Sequence, residues 1–353
     1  MSPQRTNGSV LLVLYILAAL VTGAILAPGL FKLGKWYAEL AINSNLGDTP
    51  VLGALAEKCR HSDFPRYFNR AFLVAALVWL WPFSKWAGVT RTDLGLERNR
   101  FRGQDGAVGF ILGSGVLLTV GFLFVVAGRF SGKSASLGSV LSTAVIAGIF
   151  VALLEEFFFR GALLGLLLRT LRRLPALLFL SFFFSIVHLL QPPVGLEVSD
   201  AEVHSGTGFW MVGTILGKFG DGRFLLSEFA TLFLLGMILG WARLKTRSLW
   251  LSVGLHAGLV FALKLFAGIT NRGKLTDAAG SVILDSKGKP KLVNPDHFLP
   301  WIGQDLKTGV APLLALAALG LLTLGWLALR TKALAAAPPA SKNGVTDASA
   351  EKS

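Results

Sequence analysis

Long apolar stretches separated by polar segments dominate the chain. A helix that crosses a bilayer needs about 20 consecutive apolar residues. Eight stretches meet or approach that length: 9–30, 70–88, 106–128, 139–168, 175–190, 224–242, 249–270 and 310–330. The second and fifth are short, and Pro82 interrupts the second. The fourth is long enough to begin in the interface or to tilt. The pattern predicts an all-α fold, a polytopic transmembrane bundle of about eight spans.

The polar connections set its orientation. Basic residues crowd the alternate short loops "RTDLGLERNRFR" (91–102), "RTLRR" (169–173) and "RLKTR" (243–247), and Arg330 and Lys332 end the last stretch. Segments 31–69, 129–138, 191–223 and 271–309 are longer and mix both signs. Lysine and arginine accumulate in cytoplasmic loops, so both termini are expected in the cytoplasm of a multi-pass plasma-membrane protein, in a bacterium the inner membrane. Trp36, Trp79, Trp81, Trp86, Trp241 and Trp250 lie near the expected span ends, as an interfacial aromatic belt would. The first stretch is too long for a signal peptide's apolar core and reads as an uncleaved span.

The expected divisions are 1–69 (first span and outer loop), 70–270 (membrane core), 271–309 (outer loop), 310–332 (last span) and 333–353 (cytoplasmic tail). Within the outer loop, "SVILDSKGKPKLV" has the form of a hairpin, and "HFLPWIGQDL" suits an interfacial segment. The small, polar, Pro-containing tail reads as disordered.

Composition agrees with a membrane protein. Of 353 residues, 53% are hydrophobic and 15% charged, with a mean hydropathy of +0.62, whereas a soluble protein carries about 25% charge. The net charge of +14 resides in short loops, with no basic face on a soluble domain, so no nucleic-acid partner is expected. Cys59 is the sole cysteine, which leaves neither a disulfide framework nor a Cys-ligated zinc site. Internal repeats, Gly-rich phosphate loops and Ser-centred nucleophile motifs are absent from the sequence.

Against this apolar background, "LLEEFFFRGALLGLLLRT" (153–170) holds Glu155, Glu156 and Arg160 inside the fourth stretch. Ionisable groups in a bilayer are costly and are functional candidates by default. Residues four apart on a helix lie within about 40° of each other, so Glu156 pairs with Arg160, glutamate first, the better orientation. Glu155, rotated by about 100°, remains for other work; the alternative is a purely structural charge network. His188 and His256 fall in the following apolar stretches, while His61, His204 and His297 sit in loops.

Glu155 lies 14 residues before Arg169, and His188 lies 15 after Arg173, so both are about 20 Å from one membrane edge. His256, nine residues after Arg247, is about 14 Å deep. One carboxylate and two imidazoles at comparable depth can take a proton from water and donate to a developing oxyanion. Glu155, His188 and His256 are equally a ligand set for zinc with a position open for water. Either arrangement delivers water to a carbonyl.

"EEFFFR" (155–160) fits EExxxR and "FSIVH" (184–188) fits FxxxH, with His256 in the place of a third motif. With "DLGL" at 93–96, this order over about residues 90–265 resembles the CPBP family, type II CAAX prenyl endopeptidases and their bacteriocin-immunity relatives. The resemblance implies an intramembrane protease in which Glu155 and His188 activate water and His256 stabilises the oxyanion. Glu156, Arg160 and Phe184 support the site, and a divalent metal is an open alternative. It further implies a membrane-protein, lipidated or peptide substrate. The third motif departs from HxxxN: Val260 stands where a donor is expected, and Ser252 is a nearby substitute. This departure supports an alternative, a weak or inactive scaffold or immunity factor. A transporter or proton relay is a third reading, opposed by the lack of repeated halves.

Two small-residue pairs, Gly161 with Gly165 and Gly254 with Gly258, suit close helix packing that lets the catalytic helices approach. Lys264 is expected to snorkel, and Glu228 reads as solvated at the interface, with a gate or a partner to Lys264 as the alternative. The phenylalanines at 157–159 and 182–184 suit lipid-facing or packing surface, or a wall for an apolar substrate.

Overall fold

A computed structural model describes residues 8–97, 99–193, 196, 198–220, 229–272, 306–307 and 309–335. Its helices are α1 (Gly8–Ile42), α2 (Pro50–Arg60), α3 (Phe64–Trp86), α4 (Arg91–Leu94) and α5 (Arg102–Val126). Then follow α6 (Leu137–Leu167), α7 (Arg173–Leu189), α8 (Thr207–Gly217), α9 (Ala230–Thr246), α10 (Trp250–Ile269) and α11 (Val310–Ala335). The protein is all-α and multi-pass. Two three-residue strands, β1 (Phe130–Gly132) and β2 (Thr270–Arg272), pair antiparallel with Phe130 opposite Arg272, clasping the ends of α5 and α10.

Among the described residues, five helices are long and apolar enough to cross a membrane: α1, α5, α6, α10 and α11. The other three expected stretches coincide with α3, α7 and α9, which fall short for identifiable reasons. α3 has 23 residues but carries Arg66, Arg70 and Lys85, while α7 and the described part of α9 have 17 residues each.

Several boundaries differ from those read off hydropathy. Pro82 does not interrupt its helix, since α3 continues to Trp86, and α1 passes Pro28 and runs on to Ile42. Segment 31–69 is largely helical: Pro50 occupies the first turn of α2, and the Asp63 side chain accepts from Arg66 N to start α3. Segment 191–223 contains α8, an apolar helix of 11 residues. The hairpin expected at 281–293, the interfacial stretch up to residue 305, His297, Glu228 and the tail beyond 335 lie outside the described residues.

Glycine faces bring the central helices together. A Cβ at Gly254 would overlap the Gly106 carbonyl, and one at Gly258 would lie 2.8 Å from Ser114 N, so α10 lies directly on α5. A Cβ at Gly148 of α6 would be 2.9 Å from the Ala257 carbonyl of α10. Gly161 and Gly165 do not serve a contact between two catalytic helices. They accommodate α4 instead, where a Cβ on Gly165 would sit 2.7 Å from the Asp93 carbonyl.

That α4 turn is tightly tethered. Thr90 and Asp93 form a capping box, and Gly95 closes the turn at φ 68°, a left-handed conformation that suits glycine. Arg169 pairs with Asp93 and donates to the Ala87 and Gly88 carbonyls at 2.7 and 2.6 Å, while Arg243 donates to the Asp93 carbonyl at 3.1 Å. Burial pushes the Asp93 carboxyl up, but hydrogen bonds from Arg169 and Thr90 outweigh it and hold the group below its ordinary value.

Elsewhere, Asp105 of α5 is fully buried and 3.2 Å from Arg330 of α11. It also accepts from Trp326 Nε1 at 3.1 Å and Asn99 Nδ2 at 3.3 Å.

Candidate active site

α6 is α-helical to Glu156, takes π geometry over Phe157–Leu163, and resumes α geometry at Leu164. Single π turns inside α-helices are frequent at functional sites. Here the wide turn follows two consecutive glutamates and contains Arg160. Arg160 Nη1 donates to Glu156 Oε1 at 2.9 Å, with both side chains fully buried. The guanidinium lies 4.3 Å from the centroid of the Phe184 ring of α7, a cation–π contact that offsets part of its desolvation.

α10 brings His256 to the same carboxylate, with Nδ1 2.8 Å from Glu156 Oε1. α7 brings His188 to the neighbouring one, with Nε2 3.2 Å from Glu155 Oε2. His256 Nε2 lies 3.8 Å from that oxygen. Phe184 supports His188 twice, by a ring contact of 4.1 Å between centroids and by a carbonyl 2.8 Å from His188 Nδ1. The structure thus gathers Glu155, Glu156, Arg160, Phe184, His188 and His256 from three helices into one cluster.

The partners assign the ring hydrogens. A carbonyl only accepts, so His188 Nδ1 donates to Phe184, and His256 Nδ1 donates to the Glu156 carboxylate. In the neutral rings both Nε2 atoms are then lone-pair acceptors facing Glu155 Oε2, itself buried and without a hydrogen bond among the described residues. Three acceptors directed at one region are reconciled by a donor between them: a water molecule, or an added proton on a ring.

Among the described residues, no group of three His, Cys, Asp or Glu side chains could hold a metal ion. Ser252 is no substitute donor for the position of Val260, because its hydroxyl donates to the Leu239 carbonyl at 2.8 Å. Lys264 is exposed. The loop histidines have local partners: His61 meets Glu57 at 2.8 Å, and His204 Nδ1 accepts from Gly206 N at 3.1 Å.

Glu155 and His188, 22% and 23% exposed, open on a cavity of about 340 Å³, whereas His256 lies behind them at 6%. Glu155 and Phe158 form one wall with His188 and Gln191; α3 and Tyr15 of α1 form the other. Hydropathy gave no hint of Tyr15, Asn69 or Gln191 here. The available signal was the α3 stripe Asn69, Phe72, Leu73, Ala76, Leu77 and Leu80, spaced to share one helix face. Phe158 and Phe159 line the cavity, Phe183 and Phe184 are buried, and Phe182 is half exposed.

Residues 137–262 match the family model described as Rce1-like, type II CAAX prenyl endopeptidase Rce1-like. The match runs from the start of α6 through most of α10 and includes every member of the charged cluster. It excludes α1 and α3. No curated protein and no solved structure matches the chain.

Proposed function

Residues 137–262 are an Rce1-like domain of the CPBP family, and from that premise we propose that the protein is an intramembrane endopeptidase that hydrolyses a peptide bond near the membrane surface. The observation that carries the reading is the pairing of Glu155 with His188 on the wall of a cavity, backed by the buried Glu156–Arg160–His256 network.

In the proposed reaction, water held between Glu155 and His188 attacks the scissile carbonyl, and Glu155 takes its proton. The carbon–nitrogen bond then breaks, and the same proton passes to the leaving amine. His256 stabilises the tetrahedral oxygen. Since its Nδ1 hydrogen is committed to Glu156, it can donate from Nε2 only as the imidazolium, with Glu156 as its counter-ion. Arg160 pairs with Glu156 at 2.9 Å, and Val260 contributes no donor.

The substrate is a membrane protein or a lipidated or other peptide. The enzyme sits in the plasma membrane as an eight-span protein with both termini in the cytoplasm, and α3, α7 and α9 complete the crossings.

Comparison of protein termini in membranes from cells carrying wild type, E155A or H188A tests the reading. Uncleaved termini should accumulate in both variants, with the variant proteins folded and inserted. Normal processing by both would overturn the mechanism. Retention of the phenotype by E155Q would point to a scaffold that does not turn over.

A further inference from the structure

The cavity has two unlike ends. At one, Tyr15 packs against Phe83 and Phe158 in tilted ring contacts, with centroids 5.0 and 5.3 Å apart, and donates to the Ala76 carbonyl at 2.8 Å. Beyond it, Arg169 grips the Ala87 and Gly88 carbonyls. That end is sealed. At the other end Asn69 and Gln191 are both exposed, next to the exposed Arg66 and Arg70 of α3. The Asn69 side chain makes no hydrogen bond to the described residues.

The α3 stripe from Asn69 to Leu80 spans 11 residues, about 16 Å, which accommodates an extended segment of about five residues. Its wall is apolar except at the Asn69 end. A carboxamide there can donate to a peptide carbonyl and accept from a peptide N–H at once, which recognises a main chain irrespective of side chains.

We propose that the peptide substrate reaches Glu155 and His188 through the Asn69–Gln191 end of the cavity, and that the Asn69 carboxamide binds its main chain. The route opens on the membrane face opposite the Asp93–Arg169 turn. This inference rests on the peptidase reading for its occupant; the direction of the opening rests on the cavity alone. Asn69 lies on α3, outside the matched family segment.

Single-cysteine variants of the full chain in a C59S background test it. N69C, L80C and T170C are placed in sealed vesicles of both orientations and treated with a membrane-impermeant thiol reagent. N69C should react from one face, T170C from the opposite face, and L80C from neither. Labelled N69C should lose hydrolysis of an internally quenched library of apolar-centred peptides. N69A should raise KM by about 3- to 10-fold, the size of one hydrogen bond, with kcat nearly unchanged and partial rescue by N69Q. Reaction of N69C and T170C from the same face, or undiminished hydrolysis by fully labelled N69C, would refute the route. Equal hydrolysis by wild type and E155A would instead refute the peptidase reading and its substrate, with the opening still decided by the labelling.

Discussion

Among the described residues two carboxylate clusters are buried, and they are finished in different ways. At Asp105, one oxygen meets Arg330 and Trp326 while the other accepts from Asn99. Both oxygens are engaged, and the cluster joins α11 to α5. At the glutamate pair, one Glu156 oxygen is committed to Arg160 and His256, both glutamates keep an oxygen with no hydrogen bond among the described residues, and Glu155 faces a cavity. A charge satisfied on every side fixes helices in place. One held by its neighbours but left open toward space is equipped to act on something that enters.

The largest effects should separate these roles. E155A is expected to lower peptide hydrolysis by about 10²- to 10⁴-fold, the range for removal of a general base, with little change in thermal unfolding in detergent. D105A should do the reverse, costing about 3–5 kcal/mol because Arg330 is left buried and unpaired, while hydrolysis per folded molecule stays near wild type. Equal behaviour of the two variants in both assays would dissolve the distinction.

E156Q sharpens it further. Kept at the same volume, it removes the charge that orients His256 and balances Arg160, and turnover should fall by about 10- to 100-fold, as for other outer partners of a reactive ring. KM should be unchanged. G258A adds a methyl 2.8 Å from Ser114 N and should destabilise the α5–α10 contact by about 1–3 kcal/mol, seen as a lower unfolding midpoint.

The smallest effect belongs to Asp93. Its folded-state value is held below the ordinary 3.8, so its stabilisation is full above the unfolded value and lost as pH falls through the lower folded one. The midpoint difference between wild type and D93N should therefore be present at neutral pH and shrink only in acid below about pH 3.8.

What the sequence revealed depends on the range of the interaction. Glu156 and Arg160 are one turn apart, so their contact follows from helix geometry. His188 and His256 could be levelled with Glu155 because rise per residue converts count into depth. The Asp105–Trp326 contact spans 221 residues and leaves no local trace; Arg330 read merely as the basic end of a span. α8 escaped because its 11 residues fall below any length ruler for crossing a bilayer. Gly161 and Gly165 announced a close approach but could not name α4 as the partner. The His256 tautomer depends on a carboxylate 100 residues away that only the fold supplies.

The wall contributed by α1 and α3 has a consequence for how such a protein could be re-engineered. The glutamate–histidine cluster and the surface facing it are encoded in separate parts of the chain, so, on the proposed peptidase reading, grafting a different pair of N-terminal helices would present new cargo to the same cluster. Selectivity and turnover could then be tuned as independent modules.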